Sequence, residues 1–146
     1  LPICSLTPRE IEEAERDFQQ VMETMRGEKV DVAFFPVDPR LGMMFDAGPN
    51  YFAMVVKPRL MIPMHFWERA EVIREYARRS RSPQTEIIAM TTPGDMILLE
   101  FDEQENMTVH MQSVTSAPVA RNKKVQLEAY DGENPFNDSD LPVDME

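Results

Sequence analysis

Histidine, cysteine, tryptophan and glycine are all scarce: two, one, one and five residues in 146. The single cysteine, Cys4, excludes an internal disulfide and any cysteine-rich metal cluster, and is what a protein of the reducing cytoplasm carries. It reads as an incidental thiol near the start of the chain rather than a nucleophile, since no histidine lies near it in sequence. Two histidines cannot by themselves build a metal centre, which takes about three protein ligands per zinc. No apolar run approaches the roughly 20 residues needed to cross a bilayer, and no signal-peptide pattern is present. Positive charge is also short, with 15 Lys and Arg against 26 Asp and Glu, a formal net charge of −11. That balance argues against nucleic acid as a partner, and no membrane partner is expected.

What acid there is lies unevenly. Glu128 to Glu146 holds seven acidic residues and no Lys or Arg, so the rest of the chain carries only −4. From Ala117 onward Pro, Asn, Asp and Glu dominate and no hydrophobic period survives. The expected organisation is therefore a domain over residues 1–116 and an acidic, disordered or loosely docked tail over 117–146.

Within the domain the apolar residues announce their elements. Thr7-Pro8-Arg9-Glu10 is a helix start, with Thr7 as cap, Pro8 at the first helical position and Glu10 closing a capping box. Ile11, Ala14, Phe18, Val21, Met22 and Met25 follow at helical spacing and predict one apolar stripe, stopped by Gly27. Val30 to Pro36 is rich in β-formers and predicts a buried strand ending near Val37. Asp46 to Val56 predicts a short helix and Leu60 to Met64 a strand apolar on both faces, the mark of a layered α/β core. Val72, Ile73, Tyr76 and Ala77 form the buried stripe of a further helix. Its outer face carries Arg69, Arg74, Arg78, Arg79 and Arg81, interleaved with Glu71 and Glu75 in the manner of a solvated face held by local ion pairs. Three more strands, Glu86 to Met90, Met96 to Phe101 and Met107 to Gln112, complete the list, with the turn Thr92-Pro93-Gly94-Asp95 between the first two. The expected fold class is α/β, with a mixed sheet and helices packed on one face.

Polar residues at strand ends are the natural candidates for function, because ligands gather at the carboxyl ends of strands in α/β sheets. His65 ends the apolar strand Leu60 to Met64. Its bland identity is a strand-capping histidine that satisfies a loop carbonyl. Asp38 and Arg40 follow the strand that ends near Val37, and Asp-Pro is equally a common turn opener, so turn chemistry and a site role stand level for them. His110 falls on the polar face of an alternating strand and reads as a surface histidine. Met61-x-x-Met64-His65 invites a copper assignment, but the methionines sit at inward positions, where adaptable core filling explains them.

Two local patterns resemble a known family. Val30-Asp-Val-Ala-Phe-Phe-Pro-Val-Asp-Pro-Arg40 is similar to the Asp-Val-x-apolar-apolar-Pro strand of metallo-β-lactamase-fold hydrolases, in the branch of lactonase-like and phosphodiesterase-like metal-dependent enzymes. Lys57-Pro58, followed by Pro63-Met64-His65-Phe66, resembles the Lys-Pro … Pro-Met-His strand of the same branch. The likeness covers about residues 7–101 and corresponds to the C-terminal half of that domain, half of an αββα sandwich. It implies that His65 is a ligand to zinc or another divalent metal, with Asp38 and Arg40 nearby as supporting or substrate-facing groups. It also implies a small-molecule substrate, cleaved at an ester-like or phosphodiester-like bond by a metal-bound hydroxide.

The family's main ligand cluster, His-x-His-x-Asp-His, and its later bridging Asp have no counterpart here. The chain is therefore expected to be inactive alone and to bind no metal tightly. It begins at Leu1 without methionine, which favours a fragment or truncated product of a full hydrolase. The other expectations are pairing with a complementary half-domain or with a second copy, since half a sandwich leaves a sheet face and an edge strand bare. A final alternative is a non-catalytic α/β interaction or assembly module in which His65 is structural.

Overall fold

In the computed structural model, which describes residues 5–80, 82–115 and 118–122, the first helix α1 (Pro8–Glu23) starts as its sequence dictates. The Thr7 hydroxyl accepts from the Glu10 amide at 3.2 Å and the Glu10 carboxylate accepts from the Thr7 amide at 2.6 Å, a complete capping box. Gly27, at φ 85°, turns the chain away after the helix. Strand β1 (Val32–Pro36) follows, then a 3-10 segment over Pro39–Met44, helix α2 (Ala47–Val56), strand β2 (Leu60–Met64), helix α3 (Ala70–Arg79) and strand β3 (Glu86–Ile87). Strands β4 (Met96–Phe101) and β5 (Met107–Gln112) form a hairpin.

The protein is α/β, as its sequence patterning implies. Strands β1, β2 and β3 make a parallel sheet in that order, and β4 with β5 makes a separate antiparallel one. Strand β2 lies in the middle, in register Val32↔Leu60 on one side and Leu60↔Glu86 on the other. Its alternation explains its composition. Met61 faces the helix layer, where it packs with Phe52, Val55, Val56, Ile73 and Tyr76. Leu60 and Ile62 face the other way and join Ile88 beneath Ile97, Leu99, Val109 and Met111 of the hairpin. Both faces of β2 are thus covered, which is why Leu60 and Met61 are both fully buried. Pairing of β2 with β3 extends no further than Met61↔Ile87. Pro63, two residues on, has no N–H to offer where the next bond to β3 would fall.

On the sheet face expected to be bare, the hairpin covers Leu60, Ile62 and Ile88, while Phe34 of β1 remains 62% exposed. The hairpin is tethered at its turn, where Lys29 pairs with the Glu105 carboxylate at 2.6 Å and Arg59 donates to the Glu105 carbonyl at 2.6 Å. Asp102 organises that turn by accepting from the amides of Gln104 and Asn106.

Residues 118–122, placed by their sequence in the expected tail, lie instead along the free edge of β3. Ala89 N–H donates to the Ala120 carbonyl at 2.9 Å, and Asn122 N–H to the Ile87 carbonyl at 3.1 Å. The Asn122 side chain completes the seam, accepting from Ile87 N–H at 2.7 Å and donating to the Thr85 carbonyl at 2.9 Å. Arg121 pairs with the carboxylate of Glu86, a buried residue at the start of β3. Residues 123–146, the rest of that segment, lie outside the described residues, as do Cys4 and Arg81.

The stripe of α1 is covered only in part. Phe18 meets Phe35 and Tyr51, and Met22 and Met25 reach the core, whereas Ile11 and Val21 remain 45% and 57% exposed. Among the described residues, no helix is long and apolar enough to cross a membrane.

Candidate functional site

The carboxyl ends of β1 and β2 stand side by side, tied by Val37 N–H donating to the Met64 carbonyl at 2.9 Å. This register brings Asp38 and Arg40, which follow β1, next to the residues that follow β2. The backbone there is unusual. His65 has φ 63° and Trp67 φ 53°, both in the left-handed region that non-glycine residues adopt at a cost. Strain of this kind persists where surroundings impose it, and it clusters at functional positions. His65 is exposed, and its ring meets the edge of Trp67 at a centroid separation of 6.3 Å in a T-shaped contact.

Asp38 holds this corner together. One carboxylate oxygen accepts from the Arg40 amide and from Arg40 Nε, both at 2.9 Å, and the other accepts from Arg40 Nη2 at 2.6 Å. The first of these bonds is turn chemistry, Asp38 capping the 3-10 segment. The guanidinium bonds then carry the same carboxylate into a side-on, bidentate ion pair. Trp67 adds the smallest of the influences that lower its pKa. Arg40 chiefly, with these hydrogen bonds, holds the Asp38 carboxyl down at about 2 against the opposing effect of desolvation. The guanidinium carbon of Arg40 lies over the Trp67 ring, 4.6 Å from its centroid. Arg40 therefore links Asp38 to Trp67, with His65 against the aromatic side.

Of the residues singled out in the sequence, Asp38, Arg40 and His65 meet at one end of the sheet. Trp67 was not among them, although it joins the other three. Its signal was present in the sequence as the only tryptophan, two residues beyond His65, but its left-handed backbone was not legible there. Arg74 also behaves differently from the expectation of a local pair with Glu71. It crosses to β3's continuation and donates to Thr91 Oγ1 at 3.1 Å, while Glu71 pairs with Arg69. Glu75 does pair with Arg78 and Arg79, at 3.5 and 3.8 Å. His110 lies on the outer face of the hairpin and meets Glu100 at 2.5 Å, far along the chain from the strand-end corner.

Among the described residues no three His, Cys, Asp or Glu side chains converge as a metal group. Asp38, the acid at the end of the neighbouring strand, is already committed to Arg40. The residues present thus offer one imidazole, and do not fit a complete metal centre.

A cleft of about 580 Å³ lies elsewhere, between α2 and α3, lined by Phe45, Asn50, Met54, Lys57 and Tyr76 among others. It contains none of the strand-end residues. The Tyr76 hydroxyl in it donates to Asn50 at 3.1 Å, and burial pushes its phenol pKa up. Its two serines are turned to backbone, Ser80 to the Tyr76 carbonyl and Ser82 to the Thr85 amide. With no imidazole and no free hydroxyl nucleophile, it is a weaker candidate for chemistry than the smaller, strained corner at the strand ends. Comparison of the chain with protein-family models, with curated proteins and with solved structures returns no match.

Proposed function

We propose that this chain is the C-terminal portion of a cytoplasmic metal-dependent hydrolase acting on an ester-like or phosphodiester-like bond. In that assignment His65 supplies one imidazole ligand to a zinc or similar divalent site, and the other ligands come from outside the described residues. The observation that carries it is an exposed imidazole, held on left-handed backbone at the carboxyl end of the central parallel strand, beside Asp38, Arg40 and Trp67. Neutral imidazole on a rigid strand end suits a metal ligand, because its orientation is fixed before the metal arrives. Asp38 and Arg40 serve as supporting and substrate-facing groups. The resemblance of Val30 to Arg40 and of Lys57 to Phe66 to the metallo-β-lactamase-fold hydrolases supports the same assignment.

The test is zinc binding with and without a complementary half. The 146-residue chain alone is expected to bind no zinc tightly. Co-expressed with an N-terminal half bearing His-x-His-x-Asp-His, it is expected to gain stoichiometric zinc and esterase or phosphodiesterase activity, both lost in His65→Ala. Tight zinc binding by the chain alone, abolished by His65→Ala, overturns the claim that the site is incomplete. Zinc and activity that survive His65→Ala in the pair overturn the role of His65, and leave it a structural residue of an assembly module.

A further inference from the structure

The geometry points to a second role in the same corner: Arg40 is an oxyanion-binding residue, prepositioned by Asp38 and Trp67 to take a phosphate or carboxylate group of a ligand. This deepens the hydrolase assignment, on which its meaning for substrate rests, by giving the substrate an anionic group. The inference begins from the donor count. A guanidinium has five N–H groups, and Asp38 takes the side-on edge formed by Nε and Nη2. The end-on edge, with one N–H on each of Nη1 and Nη2, has no partner in the described structure, and neither does the second N–H of Nη1. Two parallel donors on one edge are the fork that matches the oxygens of a carboxylate or phosphate.

Position and accessibility agree with this. The Arg40 side chain is 65% exposed while that of Asp38 is only 13% exposed, so the acid is the more sheltered anchor and the base is the presented group. A cation–π contact with Trp67 holds the guanidinium from a second side. An arginine held on two sides loses little freedom when it captures an anion, which is the use of such preorganisation. The Arg40 guanidinium and the His65 ring flank the same tryptophan, at 4.6 Å and 6.3 Å from its centroid, so an anion on Arg40 lies within one small molecule's length of the imidazole.

Trp67 is the only tryptophan in the chain, so its emission reports directly on this corner. The full chain is titrated with sodium phosphate and, separately, with sodium acetate, against sodium chloride at matched ionic strength. A saturable change in Trp67 emission is expected with at least one of the two oxyanions and not with chloride, and the stronger of them identifies the group preferred. Arg40→Gln is expected to lose the saturable response, and Arg40→Lys to weaken it by about tenfold, since lysine keeps the charge but not the fork. Emission that follows ionic strength alone overturns the inference, as does a saturable response retained by folded Arg40→Gln. Should Arg40→Gln fail to fold, the arginine Nε–H resonances of the unaltered chain decide. A phosphate- or acetate-induced shift largest at Arg40 supports the site, and one spread evenly over the surface arginines overturns it. Neither zinc nor a second half takes part in this titration. A negative result therefore leaves the zinc test standing, and a negative zinc test leaves the oxyanion site standing.

Discussion

Asn122→Ala tests whether residues 118–122 belong to the folded domain. Asn122 is 4% exposed, and its side chain is the sole described partner of the Ile87 amide, at 2.7 Å, and donates to the Thr85 carbonyl at 2.9 Å. Truncation to alanine removes both bonds and leaves a donor and an acceptor orphaned in a place where Thr85 and Ile87 are 0% and 1% exposed. Each orphan costs about 1–3 kcal/mol, so the pair sets a loss of roughly 2–6 kcal/mol. The upper part of that range is not reachable, because the edge segment can peel off β3 and let water in. The expected loss is about 2–4 kcal/mol, measured by urea unfolding at constant m-value. Amide exchange at Ile87 is expected to accelerate more than at Met61, the fully buried centre of the sheet. Asn122→Asp sharpens the test. As a neutral acid it can accept from Ile87 and donate to the Thr85 carbonyl like the native amide, but as a carboxylate it repels that carbonyl. Its folded-state pKa is therefore raised, and its stability relative to the native chain rises as pH falls through that pKa. A loss under about 0.5 kcal/mol for Asn122→Ala, with unchanged exchange at Ile87, refutes the docking of this segment.

Two further perturbations address the strand-end corner. The Asp38 carboxyl, held at about 2 against an ordinary 3.8, contributes stability that is present above pH 4 and lost as pH falls toward 2. Unscreened, that difference corresponds to about 2.5 kcal/mol; the exposure of Arg40 reduces it to about 1 kcal/mol. The gap in unfolding free energy between the native chain and Asp38→Asn is expected to close across that window, and a gap that persists at pH 2 contradicts the ion pair. His65→Gly is expected to match or exceed the native chain in stability by about 0.5 kcal/mol. Relief of a left-handed backbone worth about 1–2 kcal/mol outweighs the extra freedom of unfolded glycine. A thermal melt in which His65→Gly falls well below the native chain marks His65 as structural and favours the non-catalytic alternative.

The elements that sequence periodicity located are those whose partners lie across an apolar face. Leu60 to Met64 is apolar at every position because helices pack on one side of it and the hairpin on the other, and that two-sided burial is written into the residues themselves. The same holds for the alternation of Met107, Val109 and Met111. Residues 118–122 were illegible because an edge strand is recruited by backbone groups, which every sequence carries. Their side-chain signal is brief: Val119 and Ala120 pack on the two core clusters, and Arg121 and Asn122 bond to β3 and the residue before it. The pairing of Arg74 with Thr91 was hidden for a related reason, since a local acid at Glu71 offered an equally plausible partner and the fold chose the distant one.

The strand-end corner lies between these two cases. That Asp38 and His65 each follow a strand end is read from pattern alone, but that the two strands are neighbours comes from the pairing of β1 with β2, and even adjacent strand ends need not cooperate. What joins them is the conformation after Met64. Pro63 ends the pairing toward β3, and the chain then rises through two left-handed residues, His65 and Trp67, instead of continuing along the sheet. Had it continued in extended form, the alternation of side chains would not have set Trp67 against Arg40 with the imidazole at its edge. The backbone strain at His65 and Trp67 is thus the element that converts two separate strand ends into one constellation. That strain is costly and a glycine would relieve it, so the His65→Gly comparison reads out directly whether the imidazole or the backbone shape is the essential feature.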